Sequence, residues 1–320
     1  MQETFSAHDQ VASIEIHEGL EKVVKLSEYL NFPFKLDEVA DFFLPRMNLT
    51  SGELRSLLSA PEFADIPFRI EDGCLLASNA QTLSARLERE QTSAAKLDSA
   101  ARFAKVLTRL VPFIQTVAVT GSVAYGSAER WDDIDLFIVT KRNRLWLSAL
   151  MTLILVRMTK LLGLRPPHLS PFCLSYVHDE QGFAAESQRN RTNPLFAREL
   201  LKAKPVAGSA QYRRILKKND WVGGFYSEPY AAMLRGLNNK APSRENEPDK
   251  GSGWSSFPLE WAEGVVFTFL GRYLRLRAYL TNLKLKSKRQ DFRVFAPKIS
   301  PASCVYTSNF YDWLGSLWGQ

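Results

Sequence analysis

The sequence predicts an α+β fold, and three observations carry it. Apolar residues keep helical spacing from Glu18 to Leu58 and again from Gln81 to Leu110. Strand and helix patterns then alternate between Thr116 and Lys204. A basic amphipathic stretch from Trp261 to Leu285 makes the C-terminal part helical. With 320 residues, 45% of them hydrophobic and 23% charged, the chain can bury a core in two or three domains, which excludes disorder as its default state.

The elements follow in order. Leu20, Val23, Val24, Leu26 and Leu30 keep the spacing of one helix, and Leu36 to Leu44 gives a second that Pro45 closes. Thr50 can cap a third helix running through Leu54, Leu57 and Leu58. Ile66 to Ile70 and Cys74 to Ala77 flank Glu71-Asp72-Gly73 as a hairpin. Three helices and a hairpin make residues 1–80 resemble a winged helix, either a nucleic-acid-binding module or a unit packed on its neighbour. Residues 81–115 read as a long connecting helix that Pro112 ends. The core is expected over 116–237, with strands at Thr116–Thr120, Ile134–Thr140 and Phe172–Val177 and helices at Leu145–Leu162 and Pro194–Lys204. Residues 238–256, rich in Asn, Pro, Ser, Gly and charge, read as a linker or loop, and 257–320 as the helical C-terminal region.

Lys and Arg number 41 against 34 Asp and Glu, a surplus of +7 that favours polyanionic partners. Cys74, Cys173 and Cys304 form no CxxC pair, and His8, His17, His168 and His178 lack metal-ligand spacing; His178 reads as a surface histidine. The opening residues carry no basic patch followed by an apolar run, so a reducing cytoplasm is the expected location. The apolar stretch Leu145 to Leu164 is interrupted by Arg157 and Lys160, which predicts a buried helix and no stable membrane insertion. Trp261 to Leu285, with Arg272, Arg275, Arg277, Lys284 and Lys286, suits either RNA, a membrane surface or a solvated face over an apolar stripe.

The chemistry concentrates between Val117 and Thr140. An apolar strand runs into Gly121-Ser122, where a missing Cβ, a hydroxyl and the free N–H groups of the next helix make a candidate triphosphate cradle. Asp133 and Asp135 open the strand that continues Leu-Phe-Ile-Val. The period of two puts both carboxylates on one face, roughly 6 to 7 Å apart at Cα, and a divalent cation relieves their repulsion. Asp132 falls on the other side of the pleat as a loop or capping residue. Mg²⁺ or Mn²⁺ at Asp133 and Asp135 would serve attack on an α-phosphorus with loss of pyrophosphate. Lys141, Arg142 and Arg144 past the strand either neutralise the leaving group or sit in a solvated turn, with Lys141 and Arg144 carried as nucleotide-binding candidates.

This combination, Gly121-Ser122 after an apolar strand, Gly126 in the loop and Asp132-Asp133-Ile134-Asp135-Leu136 opening the next strand, resembles the signature of the DNA polymerase β-like nucleotidyltransferase superfamily. The stretches Val119–Ala124, Asp132–Leu136 with Arg144-Leu145-Trp146, Phe196–Glu199 and Asn219–Val222 also resemble a prokaryotic subfamily with a winged-helix-like segment before the core. The resemblance implies an α+β fold with a mixed-sheet nucleotidyltransferase core, an NTP donor, a divalent ion and a third carboxylate on a later strand. In Phe172–Asp179 the expected inward position holds Ser175, and alternation places Cys173, Ser175, Val177 and Asp179 on one face. Asp179 is therefore the candidate for the third carboxylate, and Glu199 the second, with an ion pair to Arg198 or Lys202 as its simpler role.

The expected activity is transfer of a nucleoside monophosphate from an NTP to a hydroxyl on RNA, protein or a small molecule. The alternative is a catalytically weak nucleotide-sensing regulator whose winged-helix-like region binds DNA.

Overall fold

The computed structural model describes residues 7–47, 49–77, 81–161, 171–240, 256–287 and 294–306. The N-terminal unit runs α1 (Ala7–Leu30), β1 (Phe34–Lys35), α2 (Leu36–Phe42), α3 (Ser51–Leu58), β2 (Arg69–Glu71) and β3 (Cys74–Leu76), with sheet order β1-β3-β2. Thr50 caps α3 as its sequence suggests: Thr50 Oγ1 accepts from the Glu53 amide at 3.2 Å, and the Glu53 carboxylate accepts from the Thr50 amide at 2.8 Å. The hairpin turns on Asp72 (φ 45°) and Gly73 (φ 75°), the two positive φ values a tight two-residue turn needs. The two-residue β1 joins the hairpin as a third strand, Phe34 opposite Leu75, which the sequence pattern does not reveal.

After α4 (Leu83–Leu110) come β4 (Ile114–Thr120), α5 (Gly121–Tyr125), β5 (Ile134–Thr140), α6 (Leu145–Leu161) and β6 (Phe172–Asp179). They are followed by α7 (Glu180–Arg189), α8 (Pro194–Lys202), β7 (Lys204–Ala207), α9 (Ser209–Lys218), α10 (Ser227–Lys240), α11 (Ser256–Ser287), β8 (Lys298–Ser300) and β9 (Ser303–Val305). The large sheet has the order β7-β4-β5-β6-β9-β8, and it is mixed: β5 and β6 are parallel and the other pairs antiparallel. Two expectations change here. The C-terminal part is not purely helical, because β9 returns to the core sheet and pairs with β6, and β8 pairs with β9 at the edge. Of the expected linker, Asn238 to Lys240 end α10, and residues 241–255 lie outside the described residues.

Strand alternation divides the core. Ile134, Leu136 and Ile138 of β5 join a cluster with α4, α6 and α11, whereas Phe137 and Val139 face one built from α7, α8, α9 and α10. A sheet buried on both faces explains why β5 reads as a nearly continuous apolar run. Glu263 of α11 accepts the amides of Trp146 and Leu147 (Leu147 N to Oε2, 3.0 Å) and so caps the start of α6. Among the described residues no helix is long and apolar enough to cross a membrane.

The N-terminal unit is fastened to the rest by buried cations. Arg86 of α4, 4% exposed, reaches Glu38 of α2 at 3.0 Å and lies over the Phe32 ring. Arg198 and Lys202 of α8 lie over Phe43 and Phe42, at 4.6 and 4.2 Å from the ring centroids. Such charges keep their place because each has a carboxylate or an aromatic face beside it.

His178 is a further correction. It is buried between Phe137 and Phe183, and its Nδ1 has no hydrogen-bond partner among the described residues. Burial pushes its pKa down to about 4. The unfolded chain therefore takes up this proton first as pH falls below about 6.5. The stabilising effect of keeping His178 neutral is complete above that value and drains away as pH approaches 4, amounting to about 3 kcal/mol over the window. Denaturant titrations between pH 7 and 4 are expected to show this slope in the native chain and a shallower one in His178→Phe; equal slopes would remove His178 as its source.

Candidate active site

The candidate site is built where β4 ends and β5 begins. Thr120 pairs with Asp135, so the chain leaving β4 turns directly over the first carboxylates of β5. Gly121 makes that turn with φ 65°, and a Cβ there would stand 2.3 Å from Asp135 Oδ2. The glycine thus answers two demands, a left-handed backbone and the close approach of a carboxylate. Ser122 follows in the short α5, which ends on Gly126 at φ 75°.

Asp133, Asp135 and Cys173 converge, with one donor atom from each lying within 4.8 Å of the others. Asp135 and Cys173 are direct neighbours across the parallel β5–β6 pair. Asp135 Oδ1 accepts from the Ser175 hydroxyl. Burial, and then the Asp133 charge, push Asp135 up to about 7, while the Ser175 hydrogen bond pulls the other way. Burial raises Asp133 as well, against a hydrogen bond from the Cys173 thiol. Burial and the two carboxylates push that thiol up to about 12, so it stays protonated and serves as a donor.

The donor set fits a hard divalent ion. Mg²⁺ is held by one or two carboxylates together with substrate phosphates, and here two carboxylates sit together, each bringing an oxygen within 4.8 Å of the other's. A protonated thiol adds no hard ligand.

The loop that delivers Asp133 is pinned by α4. Lys96, 2% exposed, donates through Nζ to the carbonyl of Asp132 at 2.6 Å and to that of Glu129. Ser93 Oγ accepts the Ala128 amide at 3.0 Å, and Arg89 pairs with Glu129. Asp132 caps its own turn by accepting the Glu129 amide at 3.0 Å, the capping part expected of it.

Gly121, Ser122, Asp133, Asp135, Cys173 and Ser175 line a cleft of about 610 Å³, a volume suited to a small molecule. The end of α1 forms one wall through Leu26, Tyr29 and Leu30, and Phe295 and Tyr306 form another. Glu199 of α8 reaches the same cleft, where it accepts the Tyr125 hydroxyl at 2.6 Å beside the buried Arg198. Burial raises the Glu199 pKa, with Arg198 opposing.

Not every expected residue arrives. Asp179 pairs with Thr140 at the opposite end of β5 and β6, buried and committed to structure: it accepts the Gly182 amide at 2.8 Å as the cap of α7 and the Asn143 amide at 3.0 Å. Its expected place as third carboxylate is corrected by a bulge. Leu136 pairs with Leu174 but Phe137 with Tyr176, so Ser175 is an extra residue that reverses the alternation and separates Val177 and Asp179 from Cys173. Lys141 and Arg144 also sit at that far end, the Lys141 amide bonded to Phe113 O at 2.8 Å and Arg144 over the Phe113 ring, so neither reaches the cleft.

Tyr125, Cys173 and the α1 wall are additions that sequence reading missed. Tyr125 stands inside the motif and was legible in principle, whereas Cys173 depends on a pairing register that local pattern does not encode. No curated protein and no solved structure matches the chain. Residues 100–199, from the second half of α4 to Glu199, match the family model described as a nucleotidyltransferase domain, a similarity consistent with the polymerase β-like superfamily that the motif resembles.

Proposed function

We propose that this chain moves a nucleoside monophosphate from an NTP to a hydroxyl acceptor, with Mg²⁺ or Mn²⁺ held by Asp133 and Asp135. The observation that carries the reading is the convergence of those carboxylates beside the Gly121 turn, inside a cleft of about 610 Å³. When bound, the ion supplies Lewis-acid polarisation of phosphate oxygens. The chain's own residues do the rest. Ser175 fixes one oxygen of Asp135 and leaves the other facing Gly121, while Lys96 holds the Asp133 loop in place. In place of Asp179, Glu199 is the group suited to take the proton of the acceptor hydroxyl. It lines the cleft, its pKa is raised by burial, and the Tyr125 hydroxyl orients it.

A second reading has its own support. Among the described residues no third carboxylate joins Asp133 and Asp135 within metal-ligand reach; Cys173 stands there, and Ser175 bonds Asp135. The order α1-β1-α2-α3-β2-β3, with sheet β1-β3-β2, supports a winged-helix unit, and Arg55 is exposed on α3, although Glu53 beside it is exposed too. A nucleotide-sensing DNA-binding regulator would combine these two features.

The deciding experiment incubates the purified chain with each α-³²P-labelled NTP and Mg²⁺ or Mn²⁺, with cell RNA and lysate protein as acceptors. Label entering one acceptor pool supports the transferase and identifies the acceptor class. NTP binding without turnover, together with DNA binding that weakens steeply with salt, supports the regulator. Glu199→Gln is expected to lower kcat by about 10²-fold or more at unchanged NTP affinity and to remove an acid limb from the pH–rate profile. An unaltered profile would exclude Glu199 as the base.

A further inference from the structure

Helix α11 is apolar on both of its sides. Its inward side, Leu270, Leu274 and Ala278, is buried, Leu270 and Leu274 within the core cluster, with Glu263 fixed at the start of α6. Its outward side should be polar in a helix that ends at solvent. Instead Phe269, Tyr273, Leu276, Leu280 and Leu283 recur at alternating steps of four and three and are 68, 45, 56, 48 and 46% exposed. Tyr279, at 60%, widens the stripe. The neighbouring α6, packed on α11, exposes Met151, Ile154 and Met158 at the same helical spacing, at 38, 50 and 48%. Two adjoining helices thus turn bulky apolar side chains outward, a surface that marks an interaction site.

Charge identifies the occupant. Arg272 and Arg275 are exposed on α11 and Arg157 on α6, and neither α6 nor α11 from Gly264 to Ser287 contains a carboxylate. A second copy of the chain would bring guanidinium against guanidinium with no acid to pair them. A nucleic acid would match the charge but leave the leucines and methionines without an apolar partner. An anionic bilayer surface matches both: acyl chains take Phe269, Leu276 and Leu280, headgroup phosphates take Arg272 and Arg275, and tyrosines suit the boundary between them. We propose that the outward face of α6 and α11 docks on the surface of an anionic lipid membrane, lying on it without crossing. The absence of a membrane-crossing helix among the described residues agrees with this mode.

The test is sedimentation of the full chain with vesicles of phosphatidylcholine alone and of phosphatidylcholine mixed with phosphatidylglycerol. The expected result is pelleting with the mixed vesicles, weakening as salt rises. Phe269→Glu/Leu276→Glu is expected to reduce binding at least about tenfold, and Arg272→Gln/Arg275→Gln to remove about tenfold of the preference for anionic lipid. All four side chains point away from the core, so thermal melts of both variants should match the parent. Failure to pellet with either vesicle overturns the proposal. So does a concentration-dependent dimer in sedimentation velocity that Phe269→Glu/Leu276→Glu dissolves, which would assign the face to a second copy. Vesicle binding is read without nucleotide, so its outcome is independent of the transfer assay.

Discussion

Asparagine at Asp133 or at Asp135 is expected to lower nucleotidyl transfer by at least about 10³-fold, because each change removes a negative ligand from a site whose catalysis rests on charge stabilisation worth several kcal/mol. The fold should survive. Both carboxylates are raised above their ordinary range by burial, so the protein without its ion bears a cost that a neutral amide relieves. The two single variants are therefore expected to melt at or above the parent temperature in the absence of divalent ion, and to lack the upward shift with Mg²⁺ that the proposed site predicts for the parent. Inactivity with a lowered melting temperature would mean that the aspartates hold the fold and not the ion. A double asparagine variant with full transfer would end the assignment of the site.

The second large effect belongs to Gly121→Ala. At φ 65° alanine is strained, and its Cβ would meet Asp135 Oδ2 at 2.3 Å. Either the turn relaxes or the carboxylate moves. Strain of this kind costs about 1–3 kcal/mol of stability. A displacement of the order of 1 Å at a reacting group costs about 10²-fold in rate. Chemical denaturation and a transfer assay on the same preparation separate the two. The combination expected is a modest stability loss with a disproportionate fall in kcat. A fall confined to stability would mean that Asp135 tolerates the shift.

How much of this was legible in the sequence depends on the range of the interaction that fixes each feature. The strand Ile134–Thr140 and the capped α3 follow from local rules, namely alternation and capping, and stand as expected, and Asp133 and Asp135 carry oxygens within 4.8 Å of each other. Features set by distant pairing were hidden. The identity of the residue facing Asp135 is decided by the register of β6 against β5, and the bulge at Ser175 reversed the alternation by which Asp179 had been brought to the site. Glu199 reads as half of a surface ion pair because its neighbours Arg198 and Lys202 are cationic; the charge partner Arg198 is there, but α8 turns Glu199 into the cleft and lays both cations over Phe43 and Phe42. β1, β8 and β9 are only two or three residues long, too short for any periodicity to speak, and exist because a partner strand is waiting for them.

That last pairing governs the timing of assembly. On the ribosome, Asp133, Asp135 and Ser175 emerge well before β9, the strand that covers the open side of β6. Tyr306 then supplies a backbone amide to the carbonyl of Ser175, at the very residue that holds Asp135, and its ring joins the wall of the cleft. Until that stretch leaves the exit tunnel, β6 is a bare sheet edge able to recruit other nascent strands. The same delay leaves the cleft short of one wall in a half-made polypeptide. A chain cut before Lys298 would thus lack both the strand that covers β6 and the part of the cleft wall that Tyr306 supplies.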